Sequence, residues 1–288
     1  MDEYTKKTKA WLDERFKLCD DQGIYYAHQP IYGFNKGHCE NPQYFVLTRY
    51  VVTFQIMKAL SHLEFHSLLD VGGAEGYKAA LVREIFGAEV KNSDLSEEAC
   101  KRAKEIFHIN SEPVDIHNLP YEDNEFDVVV CSEALEHVKD VNKAISELLR
   151  VADKAVVITV PHDSKEYIEN NIKIHRMHGH IHIFTLDSFN FLKRRGYYVV
   201  SKKMLSIYSY LPILSRFIDK KLVVTLLTTF DEFASKLLPP YGGLLIIVLK
   251  NKGKIRGKKN GNVSAYRILN FAVPEYCLGQ KNRFQCRD

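Results

Sequence analysis

The stretch Ser67-Leu68-Leu69-Asp70-Val71-Gly72-Gly73-Ala74-Glu75-Gly76-Tyr77 decides how the rest of the chain is read. Leu68, Leu69 and Val71 form a short apolar run of strand type, which stops at a glycine turn. A helical pattern follows at once, with Ala79, Ala80, Leu81, Val82 and Ile85 apolar and Lys78, Arg83 and Glu84 between them. Strand, glycine turn and helix in that order make a nucleotide-binding corner. Without a Cβ at Gly72 and Gly76 a ligand can approach the main chain, and the helix start offers unpaired N–H groups to an anionic moiety.

The flanking sequence repeats the unit. A second strand is expected over 88–93 and ends at Asp94, roughly twenty residues past the glycines, where a carboxylate can accept from ribose hydroxyls. Ser96 is the expected cap of the next helix, with Glu97 and Glu98 in its first turn, where acids suit the helix dipole. Further strands are expected at 112–115, 126–131, 154–160, 197–200 and 244–249. The run Ala155–Val160 is apolar almost throughout, as a strand covered on both faces should be. A helix is expected from Thr185 to Gly196.

Between the third and fourth strands lies Asp115-Ile116-His117-Asn118-Leu119-Pro120-Tyr121-Glu122-Asp123-Asn124-Glu125-Phe126-Asp127, and Glu136-His137 follows the fourth. Taken with Leu69-Asp70 and the glycines, this segment resembles the class I S-adenosylmethionine-dependent methyltransferases of the small-molecule, type 11-like subgroup, over about residues 64–200. The resemblance implies an α/β, Rossmann-like, doubly wound seven-stranded sheet, with strand seven antiparallel between five and six. It implies S-adenosyl-L-methionine as cofactor. Asp70, Gly72, Gly73 and Gly76 would serve its amino-acid end, and Asp94 and Leu95 the ribose. Asp115 and Ile116 would serve the adenine, and Ser132 and Glu133 the methyl end. Where the family pattern has its middle glycine this chain has Ala74, read as a site where ordinary α or β geometry suffices.

The acceptor side is less constrained. His137, His178 and His180 are candidates for the proton acceptor, and Tyr25, Tyr26, His28 and His182 for substrate contacts. Extended, His178, His180 and His182 would share one side of their segment. No metal is expected, because no carboxylate or thiol completes a ligand set close by in sequence.

Outside the core, residues 1–62 read as N-terminal helices and an aromatic lid, with an amphipathic helix over 1–18 and another over 42–62. The methyltransferase core is placed at 63–203 plus 244–251. An apolar helical insertion occupies 204–243, read first as a subdomain that buries its apolar face on the core, with a surface for peripheral membrane contact or a lipid-linked acceptor, or a dimer interface, as the alternatives, and a basic tail occupies 252–288. The chain has 288 residues, 45% of them hydrophobic and 26% charged, so a core can form without disulfide staples. Its six cysteines form no C-x-x-C pair, its start is charged, and it holds no unbroken apolar run of about twenty residues. A cytoplasmic enzyme is the expectation. A net charge of +4 is too small to argue for nucleic acid. The reaction expected is methyl transfer to a small-molecule, lipid-linked or glycan acceptor, at oxygen. The alternatives are a scaffold that binds the donor without turning it over, and a nicotinamide oxidoreductase, against which the glycine spacing speaks.

Overall fold

The computed structural model describes residues 1–18, 42–174, 176, 178–204, 230, 231, 233–235, 237 and 242–250, with 42–50 as main chain only. Two helices, α1 (Glu3–Lys17) and α2 (Pro42–Leu60), precede an alternating core. The core runs β1 (Ser67–Val71), α3 (Tyr77–Phe86), β2 (Glu89–Asp94), α4 (Glu97–Phe107), β3 (Asn110–Pro113), β4 (Phe126–Ser132), α5 (Val141–Val151), β5 (Ala152–His162), α6 (Lys165–Lys173), α7 (Phe191–Arg194), β6 (Tyr198–Met204) and β7 (Gly242–Leu249). The seven strands make one sheet in the order β3-β2-β1-β4-β5-β7-β6. All pairings among β1 to β5 are parallel, and β7 runs antiparallel to both β5 and β6, as the resemblance implies.

The two-residue period of the strands sorts side chains to opposite faces. Leu68, Val128, Val130, Ala155, Val157 and Leu245 pack against α2 and α3. Leu69, Val129, Cys131, Val156, Ile158 and Ile246 pack against α5 and the segment around Phe184 and Phe189. Both faces are therefore dry, and the polar ends of the strands are the place left for a site. In β1 this alternation sends Asp70 to the α3 face, and it is 1% exposed.

Caps fix where the helices start. Ser96 Oγ accepts from Ala99 N at 3.1 Å and starts α4 where the sequence places it. Asp2 does the same for α1 through Thr5 N at 3.2 Å, and Asp140 for α5 through Lys143 N at 3.0 Å.

Three expectations are corrected. The third strand ends at Pro113, two residues early, so Asp115 lies beyond it in the connecting turn. The helix expected from Thr185 is only four residues long, Phe191–Arg194. Ser188 Oγ accepts from Thr185 N at 2.8 Å and Asn190 Nδ2 donates to Asp187 Oδ1 at 2.6 Å, so these side chains hold the segment in turns. Ala74 is in the left-handed region, φ +50°, not in ordinary α or β geometry. An L-residue held there costs roughly 1–2 kcal/mol. Its methyl is buried against Leu12, Phe16 and Ala99, contacts that a glycine would not make.

The lid segment with Tyr25, Tyr26 and His28 and the tail from 252 lie outside the described residues, as does most of the 204–243 insertion. Within the insertion, Ala234 joins the α2 core while Phe230, Phe233 and Leu237 are exposed. Among the described residues no helix is long and apolar enough to cross a membrane.

Candidate functional site

A cavity of about 920 Å³, its open mouth included, lies at the carboxyl ends of β1, β2, β3 and β4. Its floor is Val71, Gly72 and Ala74. Asp94, Leu95, Val114, Asp115, Ile116 and His117 form one wall, and Ser132, Glu133, Ala134, His137 and Val138 form the other.

The glycine turn is shaped by what surrounds it. Gly72 has φ +70°, and a Cβ there would meet the Ala134 Cβ at 2.8 Å. A Cβ on Gly73 would lie 2.0 Å from Asn92 Oδ1 and 2.7 Å from the Asp70 carboxylate. No side chain fits at either position, so the main chain itself becomes the floor. Gly73 and Gly76 do not line the cavity; Gly76 opens α3 and sits close against Ala103. Asp70 also lies beneath the turn and does not line the cavity. Burial pushes its carboxyl up to about 6, with the Lys78 ammonium pulling it back. The Ala79 N–H, like Lys78, favours its ionised form.

Asp94 lines the cavity and organises the turn at once. Its Oδ2 accepts from Ala74 N at 2.9 Å and its Oδ1 from Ser96 N at 2.9 Å. Burial raises its carboxyl to about 6, although both N–H groups favour the ionised form. Asp115 accepts from His117 N at 3.0 Å and from His117 Nδ1 at 2.6 Å, both through Oδ1. Ser132 Oγ is paired with Thr159 Oγ1 at 2.8 Å, and Glu133 stands at the turn after β4 with φ +55°.

The roof is α1. Tyr4, Thr5, Thr8, Leu12 and Phe16 fall on one helical face and close the cavity from above. Tyr4 Oη donates to the His137 carbonyl at 3.1 Å. Asp13 accepts from Ser96 Oγ at 2.6 Å. At the far end Arg102, buried, donates to the Leu18 carbonyl at 3.3 Å, lies under the Phe16 ring, and sits 3.6 Å from Glu75 in the glycine turn. The sequence shows α1 as an amphipathic helix but not this role. Its apolar spacing was the available signal, and the partner surface is set by long-range packing.

The histidines are gathered but not along one extended edge, because His178 has φ +51°. The His178 ring stacks on His137 at 3.7 Å and on Trp11 at 5.0 Å. His137 and His178 line the cavity. His180 packs edge-on to His137 at 4.9 Å, behind the wall, with Nδ1 on Asp163 at 2.5 Å. His182 is not brought to this cavity: its Nε2 is 2.6 Å from the Val138 carbonyl, and its ring faces a separate hollow by Asp140. Lys78 and Lys139, also on the cavity wall, were not singled out from sequence.

Residues 69–158 match the family model described as a methyltransferase domain. A norajmaline N-methyltransferase of Rauvolfia serpentina is 34% identical over 101 residues, 33% of this chain and 35% of that one. A ubiquinone biosynthesis O-methyltransferase of Thiobacillus denitrificans is 34% identical over 110 residues, 35% of this chain and 47% of its own. The chain thus spans a third to a half of the length of these relatives. A magnesium protoporphyrin IX methyltransferase of Synechocystis, solved with S-adenosylhomocysteine, superposes with a TM-score of 0.57 at 14% identity, over 86% of this chain and all of that one.

Proposed function

We propose that this chain, which belongs to the class I S-adenosylmethionine-dependent methyltransferases by its central domain and its sheet, transfers a methyl group to a hydroxyl oxygen of a small molecule. The observation that carries the reading is the Gly72 floor beside a wall that holds two carboxylates, Asp94 at the end of β2 and Asp115 in the turn after β3.

The residues present fit S-adenosylmethionine. The bare main chain at Gly72 leaves room for the amino-acid end, which no Cβ could share with Ala134. The Asp94 carboxylate, aimed at the cavity from the end of β2, accepts from the ribose hydroxyls. Leu95 and Ile116 offer apolar surface to the adenine, and Asp115 an acceptor for its amino group. The bound cofactor supplies an electrophilic methyl carbon and leaves as a neutral thioether.

The chain's own residues then aim the acceptor and remove its proton. Thr8 and Leu12 exclude water from above. His178, held between the Trp11 and His137 rings, takes the hydroxyl proton. Glu133 and Tyr4 border the same space.

Calorimetry with S-adenosylhomocysteine and incubation with methyl-labelled donor in a cell extract test this together. Micromolar binding and a labelled small product that disappears with His178→Gln are expected. Binding without any labelled product would leave a donor-binding scaffold, label in a lipid or glycan fraction would change the acceptor class, and stabilisation by NAD alone would overturn the reading.

A further inference from the structure

We infer that Glu136, His137 and His180 form a binding site for one divalent cation of the zinc type. The fold brings one ligand atom from each of the three within 4.8 Å of the others. The sequence hides this set, because its carboxylate comes from the turn after β4 and its second imidazole from a loop more than forty positions on. Glu136 is 1% exposed and the two histidines are half-buried, so the ligands are largely out of bulk water.

The state of the two rings follows from what holds them. His137 Nδ1 is 3.2 Å from the Gly179 carbonyl, and His180 Nδ1 is 2.5 Å from Asp163 Oδ2. A carbonyl and a carboxylate only accept, so in each neutral ring the proton sits on Nδ1 and the lone pair on Nε2. Metal-binding histidines are oriented in this way, with the outer nitrogen tied to a carboxylate or main-chain carbonyl. His137 Nε2 lies 3.7 Å from Glu136 Oε1, long for a hydrogen bond. Two ligands on one ion at bonds of about 2.0–2.2 Å lie roughly 3–4 Å apart, the spacing the Glu136–His137 pair already has, and His180, within 4.8 Å, closes on the ion by a shift of up to about 1 Å. Glu136 O accepts from Ile181 N at 2.9 Å and pins the histidine loop to the turn after β4.

Two imidazoles and one carboxylate select Zn²⁺, with Fe²⁺ and Mn²⁺ as weaker competitors, and disfavour Mg²⁺ and Ca²⁺. Three protein ligands leave at least one position for water or another oxygen, the pattern of a working rather than a structural zinc site. His137 also lines the cavity, so the ion would border the space assigned to the acceptor. The site itself does not depend on the donor reading.

The chain's single tryptophan, Trp11, stacks on His178 and through it on His137, and so reports on the site. The tag-free 288-residue chain, stripped with chelator, is titrated with Co²⁺, then with Zn²⁺, following Trp11 emission and the visible cobalt bands. One equivalent should bind, quench Trp11 and give low-symmetry cobalt bands that Zn²⁺ abolishes. Asp163→Asn should weaken binding about tenfold. His180→Ala and Glu136→Gln, checked for wild-type circular dichroism, should remove the cobalt bands. Wild-type binding in either ligand variant, or no stoichiometric binding to the wild-type chain, overturns the site. A ligand variant that does not fold leaves Asp163→Asn to decide, and unchanged affinity there counts against it. Metal binding with no donor binding would leave this site standing and the methyltransferase reading refuted.

Discussion

In the half of the cavity we propose for the donor, the polar groups are tied to main chain close to the glycine turn and the strand ends. Asp94 reaches Ser96 two residues on and Ala74 twenty back, and Asp115 reaches His117 two residues on. The acceptor half is put together from far-apart segments: Tyr4 on the carbonyl of His137, 133 residues away, and His137 on the carbonyl of Gly179, 42 away. The first half is rigid because each strand-turn-helix unit makes its own geometry. The second is held by the docking of α1 and of the histidine loop.

The largest way to break this contrast is Phe16→Ala. Phe16, in the last turn of α1, is 1% exposed, and its loss should cost about 3 kcal/mol of docking. Limited proteolysis within α1 should accelerate while the melting of the sheet shifts much less. Equal losses in both would show that roof and sheet are a single cooperative unit. Next is Asp94→Asn. An amide can accept from only one of the two N–H groups and turns a donor toward the other, so the turn and the ribose contact suffer together. Affinity for S-adenosylhomocysteine should fall roughly 30- to 100-fold by calorimetry.

The pH dependence separates the halves by a different route. The folded Asp94 carboxyl titrates near 6, above its unfolded value, so the folded state binds more protons between the two. Asp94 therefore costs nothing in stability at low pH, and its penalty grows as pH rises through that window and is complete above about 6. Under the proposed function the ionised Asp94 accepts from the ribose hydroxyls, so donor affinity should drop as pH falls through 6 while the melting temperature does not drop with it. A donor affinity flat from pH 7.5 to 5 would remove Asp94 from the contact. Tyr4→Phe should act on the acceptor half alone: about 1 kcal/mol lost from the bond to the His137 carbonyl, a few-fold rise in acceptor KM and no change in donor KM. The smallest effect belongs to Ala74→Gly. Relief of the left-handed alanine is offset by loss of its methyl contact with Leu12 and Phe16, and the melting temperature should move by no more than a few degrees.

The same contrast explains how far the sequence could be read. The successive strands and the glycine floor are legible from spacings inside single β-α units, where alternation and turn chemistry are local, whereas the sheet order and the antiparallel β7 are available only through the family resemblance. Ser96 is recognisable as a cap because its acidic neighbours mark the same helix start. Tyr4, Thr8, Leu12 and Phe16 advertise a helical face, but nothing local says that it covers the cavity rather than another surface. Ala74 looks like a mild substitution until its φ is known. Asp70 falls at the family's position yet supports the turn from below, since the pleat of β1 turns it toward α3. The Thr185 segment reads as helix by pattern and stays in turns because its hydroxyls, carboxylate and amide capture one another.

Arg102 joins things that would otherwise be separate parts. Its guanidinium meets the last carbonyl after α1, the ring above it and a buried carboxylate inside the glycine turn. A fragment cut to begin after residue 18 would take away that carbonyl and the Phe16 ring and open the Arg102–Glu75 pair to water. The first eighteen residues are thus a keystone: whatever grips the cofactor corner also tightens the roof, and shortening the chain to its alternating core would discard both.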